Sequence, residues 1–304
     1  MSKRALIIGS GGQDGSLLSS HLAERSYAVT GMGRGDLDIL DANMVTDVVG
    51  WLNPSEIYYL AAYHHSSENL PRSGAELLTQ SMNVHFHGVV NFLDAIAYAS
   101  PSSRLFFASS SHIFGPAEAG MQTEETAWAP QSGYAISKVA GMQACAFYRR
   151  NHNTFASVGI LFNHESHLRK GHFLSKKIVS AAVSIVREGK GTLELGDVEE
   201  EVDWGYAPDY ADAMHRILQL ESADDFIVAT GKLHTVRDFA EIAFRTVGLD
   251  YREHVVTKKD ATLRSNGRRV GNPEKLKAAT GWEPSLDFAQ MVRKLVESEQ
   301  KALA

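Results

Sequence analysis

Apolar residues in the first half of the chain fall into short unbroken runs, separated by stretches in which they recur at helical spacing. ALIIG (5–9), YAVTGMG (27–33), EIYYLAA (56–62) and RLFFASSS (104–111) end in glycine or small residues. Such runs are the pattern of strands buried on both faces of a parallel sheet. LLSSHLAERS (17–26) and residues 42–52 and 83–99 carry the helical spacing. Strand and helix therefore alternate from the start, which predicts a doubly wound parallel α/β sheet with helices on both faces. The segment GRGD runs straight into LDIL (37–40), leaving little or no room for a helix before the next extended stretch.

Beyond about residue 160 the alternation loosens. The apolar run SVGILF gives way to FNHESHLRKGHF (162–173), a polar, histidine-rich stretch. It reads as a loop leaving the C-terminal end of a strand, where open α/β sheets bind ligands. Further helices are predicted near 173–188, 208–220, 235–247 and 286–302. Residues 1–160 are expected to form the nucleotide-binding domain. Residues 161–304 should form a smaller, partly interwoven substrate-binding part, some segments of which return to the first sheet.

Composition narrows the class. The 304 residues are 44% hydrophobic and 22% charged, and the formal charge is −6. That balance argues against nucleic acid or an anionic membrane as a bulk partner, while leaving anionic small molecules open. No apolar run reaches the roughly 18 residues of a membrane span, and no signal-peptide pattern is visible, so a cytoplasmic location is expected. The single cysteine, Cys145, excludes an internal disulfide and multi-cysteine metal sites, and reads as a small core residue. Trp204 and Trp282 are also expected in the core. His164, His167 and His172 around Glu165, and the pair His64–His65, show no recognisable ligand spacing, so no metal is expected.

Two motifs carry chemistry. Gly9-Ser10-Gly11-Gly12-Gln13-Asp14-Gly15 lies between a strand and a helix. Glycines there allow a tight turn and close approach to a pyrophosphate, and the helix start supplies free N–H groups. Arg34, at the end of the second strand, suits the 2′-phosphate of NADP better than the ribose hydroxyls of NAD, which remains the alternative; Asp38 is a candidate for the adenine edge. In QSGYAISK (131–138), Tyr134 and Lys138 are one helical turn apart and share a face. A lysine so placed can lower the tyrosine pKa and ready the phenol for proton exchange. Ser110 or Ser111, at a strand end, can hydrogen-bond the same substrate oxygen.

Together these features resemble the extended, nucleotide-sugar branch of the short-chain dehydrogenase/reductase superfamily. GGQDGS, NPSEIYYLAA, SGYAISK, GILFNHES, DWGYAPDYADAM and ATGKLHTVRDFAEIAF resemble the GDP-mannose 4,6-dehydratase family over nearly the whole chain. The resemblance implies a Rossmann domain holding NADP(H) through Gly9, Gly12, Gln13, Asp14, Gly15, Arg34, Asp38, Leu60, Ala61 and Ala62. It further implies a GDP-hexose held by His64, Asn163, His164, Glu165, Lys177 and Arg264. In the implied reaction hydride leaves C4, water is eliminated across C5–C6, and hydride returns to C6. Tyr134 would be the C4-hydroxyl base, Lys138 its support, and Ser110 would stand where the family has a threonine. Homodimers or homotetramers built on helix faces around 83–99 and 134–150 are implied too.

Two departures from the family pattern stand out. Where the dehydratases carry a glutamate after their serine-rich strand end, this chain has His112. Histidine is competent for proton transfer, but SSSHIFG also resembles GDP-fucose synthase, as do YAISKVAGMQACAFYRR and the run from GRGD into LDILD. An NADPH-dependent reductase of 4-keto-6-deoxy sugars, with or without epimerisation, is therefore the alternative, and a non-catalytic NADP-binding protein is the alternative of another class. The family also places an arginine before Asp-Trp-Gly to meet the nucleotide diphosphate; here Val202 stands there, behind Glu199, Glu200 and Glu201. Lys176, Lys177, Arg264, Arg268 and Arg269 are cations that could substitute.

Overall fold

The computed structural model describes residues 2–63, 73–116, 120–258 and 268–303. Its centre is a six-stranded sheet of β1 (Arg4–Ile8), β2 (Ala28–Met32), β3 (Glu56–Tyr59), β4 (Arg104–Ser110), β5 (Phe155–Leu161) and β10 (Asp225–Val228). The order is β2-β1-β3-β4-β5-β10, and every pairing is parallel. The chain passes from β1 to one neighbour and then returns to the other side of β1, which creates a crevice at the C-terminal ends of β1 and β3.

Alternation along each strand explains the two layers of core. Leu6, Ile8, Ile57, Tyr59, Leu105 and Phe107 point to one side, against α2 (Ala42–Leu52), α4 (Gly88–Ala99) and α5 (Gly133–His152). Ala5, Ile7, Tyr58 and Phe106 point to the other, against α1 (Gln13–Ala23) and α7 (Ala207–Ile217). Cys145 is fully buried in the first layer, where burial pushes its thiol up. Trp282 closes the second, its indole N–H donating to the Asp209 carbonyl at 2.9 Å.

A third cluster stands apart from the sheet. Ile178, Val179 and Val183 of α6 (Leu174–Glu188), Phe239 and Phe244 of α8 (Val236–Thr246), and Val292 and Leu295 of α11 (Phe288–Ala302) pack around Trp204. Between them the short strands β6 (Asn163–Glu165) and β9 (Trp204–Tyr206) pair in parallel, and β8 (Glu201–Val202) precedes β9.

Three local expectations are corrected. The helix expected from residue 83 begins at Gly74, where the Ser73 hydroxyl accepts the Glu76 N–H. It runs as α3 (Gly74–Met82) through one π-type turn, Asn83–His87, into α4. LDIL forms no strand: Gly33 donates to Asp36 Oδ2 at 2.8 Å and Leu40 to Asp38 Oδ1 at 2.9 Å, so side chains take the bonds a ladder would need. Short helices α9 (Tyr251–His254) and α10 (Glu274–Thr280) appear where none was expected. Among the described residues no helix is long and apolar enough to cross a membrane.

Candidate active site

The glycine-rich turn closes over the crevice. Gly9 has φ +91°, and a Cβ there would lie 2.8 Å from the Ala61 nitrogen, so β1 and the end of β3 approach as closely as backbones can. At Gly15 a Cβ would meet the Gly9 carbonyl oxygen at 2.5 Å, so only glycine lets α1 begin against the turn. Gly12, at the N-cap of α1, offers no side chain to its free N–H groups. An uncapped helix start beside a glycine turn suits an anion, such as the pyrophosphate of a dinucleotide.

Opposite lies the end of β4. Ser110 leaves the strand, accepts the His112 N–H, and hydrogen-bonds the Tyr134 phenol. Tyr134 stands on the first turn of α5, which Ser132 caps by accepting the Ala135 N–H at 3.1 Å. The His112 ring is exposed and meets the Tyr134 ring edge-on, with centroids 6.1 Å apart. On another side, His85 meets it edge-on at 5.1 Å.

Lys138 departs from expectation. It is 2% exposed, and its Nζ donates to the Ala108 carbonyl at 2.7 Å while lying 5.6 Å from the Tyr134 ring centroid. Burial brings its ammonium down to about 7. The phenol is not lowered: burial pushes Tyr134 up to about 12, against the opposing pull of the Ser110 hydrogen bond and the Arg169 charge. A lysine spent on a backbone carbonyl and itself disfavoured by burial has little charge to lend.

The histidine-rich loop is tied to the start of α1. Gln13 Nε2 donates to the His164 carbonyl at 3.2 Å, and the Ser166 hydroxyl donates to Gln13 Oε1 at 2.9 Å. His164 lies face to face with Tyr210, centroids 4.3 Å apart. Glu165, 3% exposed, accepts from the Ser175 hydroxyl at 2.7 Å, and Arg169 Nε lies 2.9 Å from its Oε2.

These parts enclose a cleft of ≈ 660 Å³. Of the residues expected there, Gly9, Gly12, Gln13, Asp14, Gly15, Arg34, Leu60, Ala62, Ser110, His112, Tyr134, Lys138, Asn163, His164 and Glu165 line it. Ala61, Asp38 and Lys177 do not: Ala61 backs onto Gly9, Asp38 caps its own turn, and Lys177 sits on the first turn of α6 outside the cleft wall. His64 and Arg264 lie outside the described residues. Arg169, Lys170 and Phe173, which belong to the loop read as ligand-binding but were not singled out within it, line the cleft, and so does Ser175, at the start of α6. Among the described residues, the donor atoms that gather at metal-like spacing, within 4.8 Å of one another, belong to His21, Asp212 and His215, none of which lines the cleft. There Arg216 Nε already lies 2.6 Å from Asp212 and Arg25 bonds His21 Nδ1.

Residues 35–295 match the family model described as GDP-mannose 4,6 dehydratase. GDP-mannose 4,6 dehydratase 2 of Caenorhabditis elegans is 32% identical, over 98% of this chain and 89% of that one. GDP-mannose 4,6 dehydratase 1 of Arabidopsis thaliana is 31% identical, over 98% and 90%. Among solved structures, RMD from Pseudomonas aeruginosa complexed with NADPH superposes with a TM-score of 0.85 at 22% identity, covering 99% of this chain and 100% of the other. DesIV, a dTDP-glucose 4,6-dehydratase from Streptomyces venezuelae with NAD and TYD bound, gives 0.82 at 19%, covering 98% and 97%. At those identities the structural likeness is one of fold.

Proposed function

The chain belongs to the GDP-mannose 4,6-dehydratase family, and from that premise we propose that it is an NADP(H)-dependent enzyme converting a GDP-hexose through a 4-keto intermediate. The observation that carries this reading is the convergence of Ser110, His112, Tyr134 and Lys138 on one cleft, facing the uncapped start of α1.

Gly9, Gly12 and Gly15 would cradle the cofactor pyrophosphate, and Arg34, on the cleft wall at the end of β2, would meet the 2′-phosphate. Bound NADP+ supplies a hydride acceptor that later returns the hydride. As its phenolate, which the positive charge of a bound nicotinamide would favour against burial, Tyr134 would take the C4 hydroxyl proton, while Ser110 orients that hydroxyl and Lys138 holds the end of β4 in register through the Ala108 carbonyl. His112 removes the C5 proton and supplies a proton to the departing C6 hydroxyl, so that water leaves. The exposure of His112 lets it take up a fresh proton from solvent, which it would return to C5 as hydride adds to C6.

Histidine in place of the family glutamate favours a second reading, reduction of a 4-keto-6-deoxy sugar by NADPH. Incubation of the protein with GDP-mannose and NADP+, followed by mass analysis of the sugar, separates the two. Loss of one water with no net cofactor change supports the dehydratase. An unchanged sugar, with stoichiometric NADPH consumption on the 4-keto-6-deoxy product, supports the reductase.

A cytoplasmic homodimer or homotetramer completes the reading. Tyr98 of α4 and Ile136 and Phe147 of α5 are 73%, 43% and 49% exposed, and offer the apolar helix surface such an assembly would cover.

A further inference from the structure

The long helix made of α3 and α4 changes its winding where it passes Tyr134. Asn83–His87 is the π-type turn, and such turns are frequent at functional sites. At its centre His85 is fully buried and stands behind the cleft wall rather than in it. The turn is pinned on two sides. The Tyr59 hydroxyl of β3 donates to the Val84 carbonyl at 2.6 Å. A Cβ at Gly141 of α5 would meet the His85 carbonyl oxygen at 2.3 Å, so the two backbones are in direct contact. His85 is thereby clamped between the end of β3 and α5.

The hydrogen bonds of its ring run in one direction. The Tyr63 N–H can only donate, and it reaches His85 Nε2 at 3.0 Å, which makes that nitrogen the acceptor. Nδ1 then carries the proton and donates to Ser137 Oγ at 2.8 Å. The Ser137 hydroxyl donates in turn to the Tyr134 carbonyl at 2.8 Å. The same imidazole meets the Tyr134 ring edge-on, with centroids 5.1 Å apart. At the other end of the chain of bonds, Tyr63 follows Ala62, which lines the cleft together with Leu60. Tyr134 stands on the first turn of α5, where the helix makes few backbone bonds of its own, so contacts from outside decide where the phenol lies.

We propose that His85 is a positioning residue for the reaction: through Ser137 and through its own ring edge, it fixes the Tyr134 phenol relative to the segment after β3 that lines the cleft. The inference rests on the reading of Tyr134 as the C4-hydroxyl base and goes one residue deeper, to what stands behind that base. A displaced phenol costs rate rather than affinity, because proton transfer depends steeply on the distance to the C4 oxygen.

The test compares the full chain as wild type, His85→Phe, His85→Asn and Ser137→Ala. Steady-state kinetics use GDP-mannose with NADP+, or the GDP-4-keto-6-deoxy sugar with NADPH, whichever the wild type turns over; NADPH affinity is read by calorimetry. His85→Phe keeps a ring edge and removes both hydrogen bonds. Its kcat is expected to fall about ten- to a hundredfold, with KM for the sugar and NADPH affinity unchanged; retained NADPH affinity also shows that the variant folds. His85→Asn sets an amide N–H where Nδ1 stands and should recover part of kcat, although it packs less well than phenylalanine. Ser137→Ala should lower kcat about two- to tenfold. Unchanged kcat in His85→Phe or in Ser137→Ala overturns the inference, as does a His85→Asn no faster than His85→Phe. NADPH affinity falling in step with kcat overturns it too, by assigning His85 to the cofactor segment. Each of these results leaves the substrate reading standing. A wild type that turns over neither sugar ends that reading and this inference with it.

Discussion

His164 donates from Nε2 to Asp14 Oδ1 at 3.0 Å and from Nδ1 to the Phe162 carbonyl at 2.7 Å, joining residues 150 positions apart. Both ring nitrogens face acceptors, an arrangement that favours the imidazolium form. The pair fastens the substrate-side loop to the first turn of α1.

Asp14 and His164 therefore make stability depend on pH from two sides. Burial raises the Asp14 carboxyl, but the His164 charge and hydrogen bond outweigh it and hold it at about 2 rather than 3.8. Burial likewise disfavours the His164 cation, yet Asp14 keeps its pKa above 6.5. A depressed carboxylate contributes above 3.8 and loses its contribution as pH falls towards 2; a raised histidine contributes fully below 6.5 and loses its share as pH rises through the folded value. Asp14→Asn should cost about 2 kcal/mol between those limits. Thermal unfolding of wild type and variant across pH checks this; a difference flat with pH would refute the assignment.

Tyr134→Phe should lower turnover by about 10²–10⁴ with NADPH binding intact. Ser110→Ala should leave more activity and move the rising limb of the pH–rate profile, along which the phenol loses its proton, to higher pH. Its hydroxyl is what pulls the phenol down against burial. An unmoved limb would mean that the titrating group is not Tyr134.

At position 112 the expected result is a separation of steps. His112→Ala should reduce water elimination by about 10²–10⁴ while C4 oxidation, seen as transient NADPH absorbance, persists. His112→Glu should restore elimination. Full elimination by the alanine variant would reduce His112 to a bystander.

Arg34→Ala should weaken NADP+ binding by about ten- to a hundredfold and leave NAD+ binding unchanged, as read by calorimetry. Equal losses for both cofactors would place Arg34 on the shared part of the dinucleotide.

Much of this arrangement is legible before folding because it depends on local period. ALIIG, EIYYLAA and RLFFASSS read as buried parallel strands because nothing in them alternates with polar residues. Tyr134 and Lys138 share a face because four residues make about one helical turn. The helix start at Gly74 was harder to see. GAELLTQSM is less apolar overall than the helix that follows it, and its beginning depends on a single serine cap.

By itself the sequence determined the parallel sheet, the glycine turn that only glycine can make, and the serine–tyrosine–lysine cluster with its histidine neighbour, since each is written in spacing or in backbone freedom. Only the tertiary structure decided where the charges act. Whether Lys138 lends its charge to Tyr134 depends on a carbonyl 30 positions away. Whether Arg169 or Arg269 faces the cleft depends on stacking against Phe173 and on the strand that brings Arg269 to Val202. Charge is legible in a chain as an amount; its direction is set by what packs against the side chain that carries it.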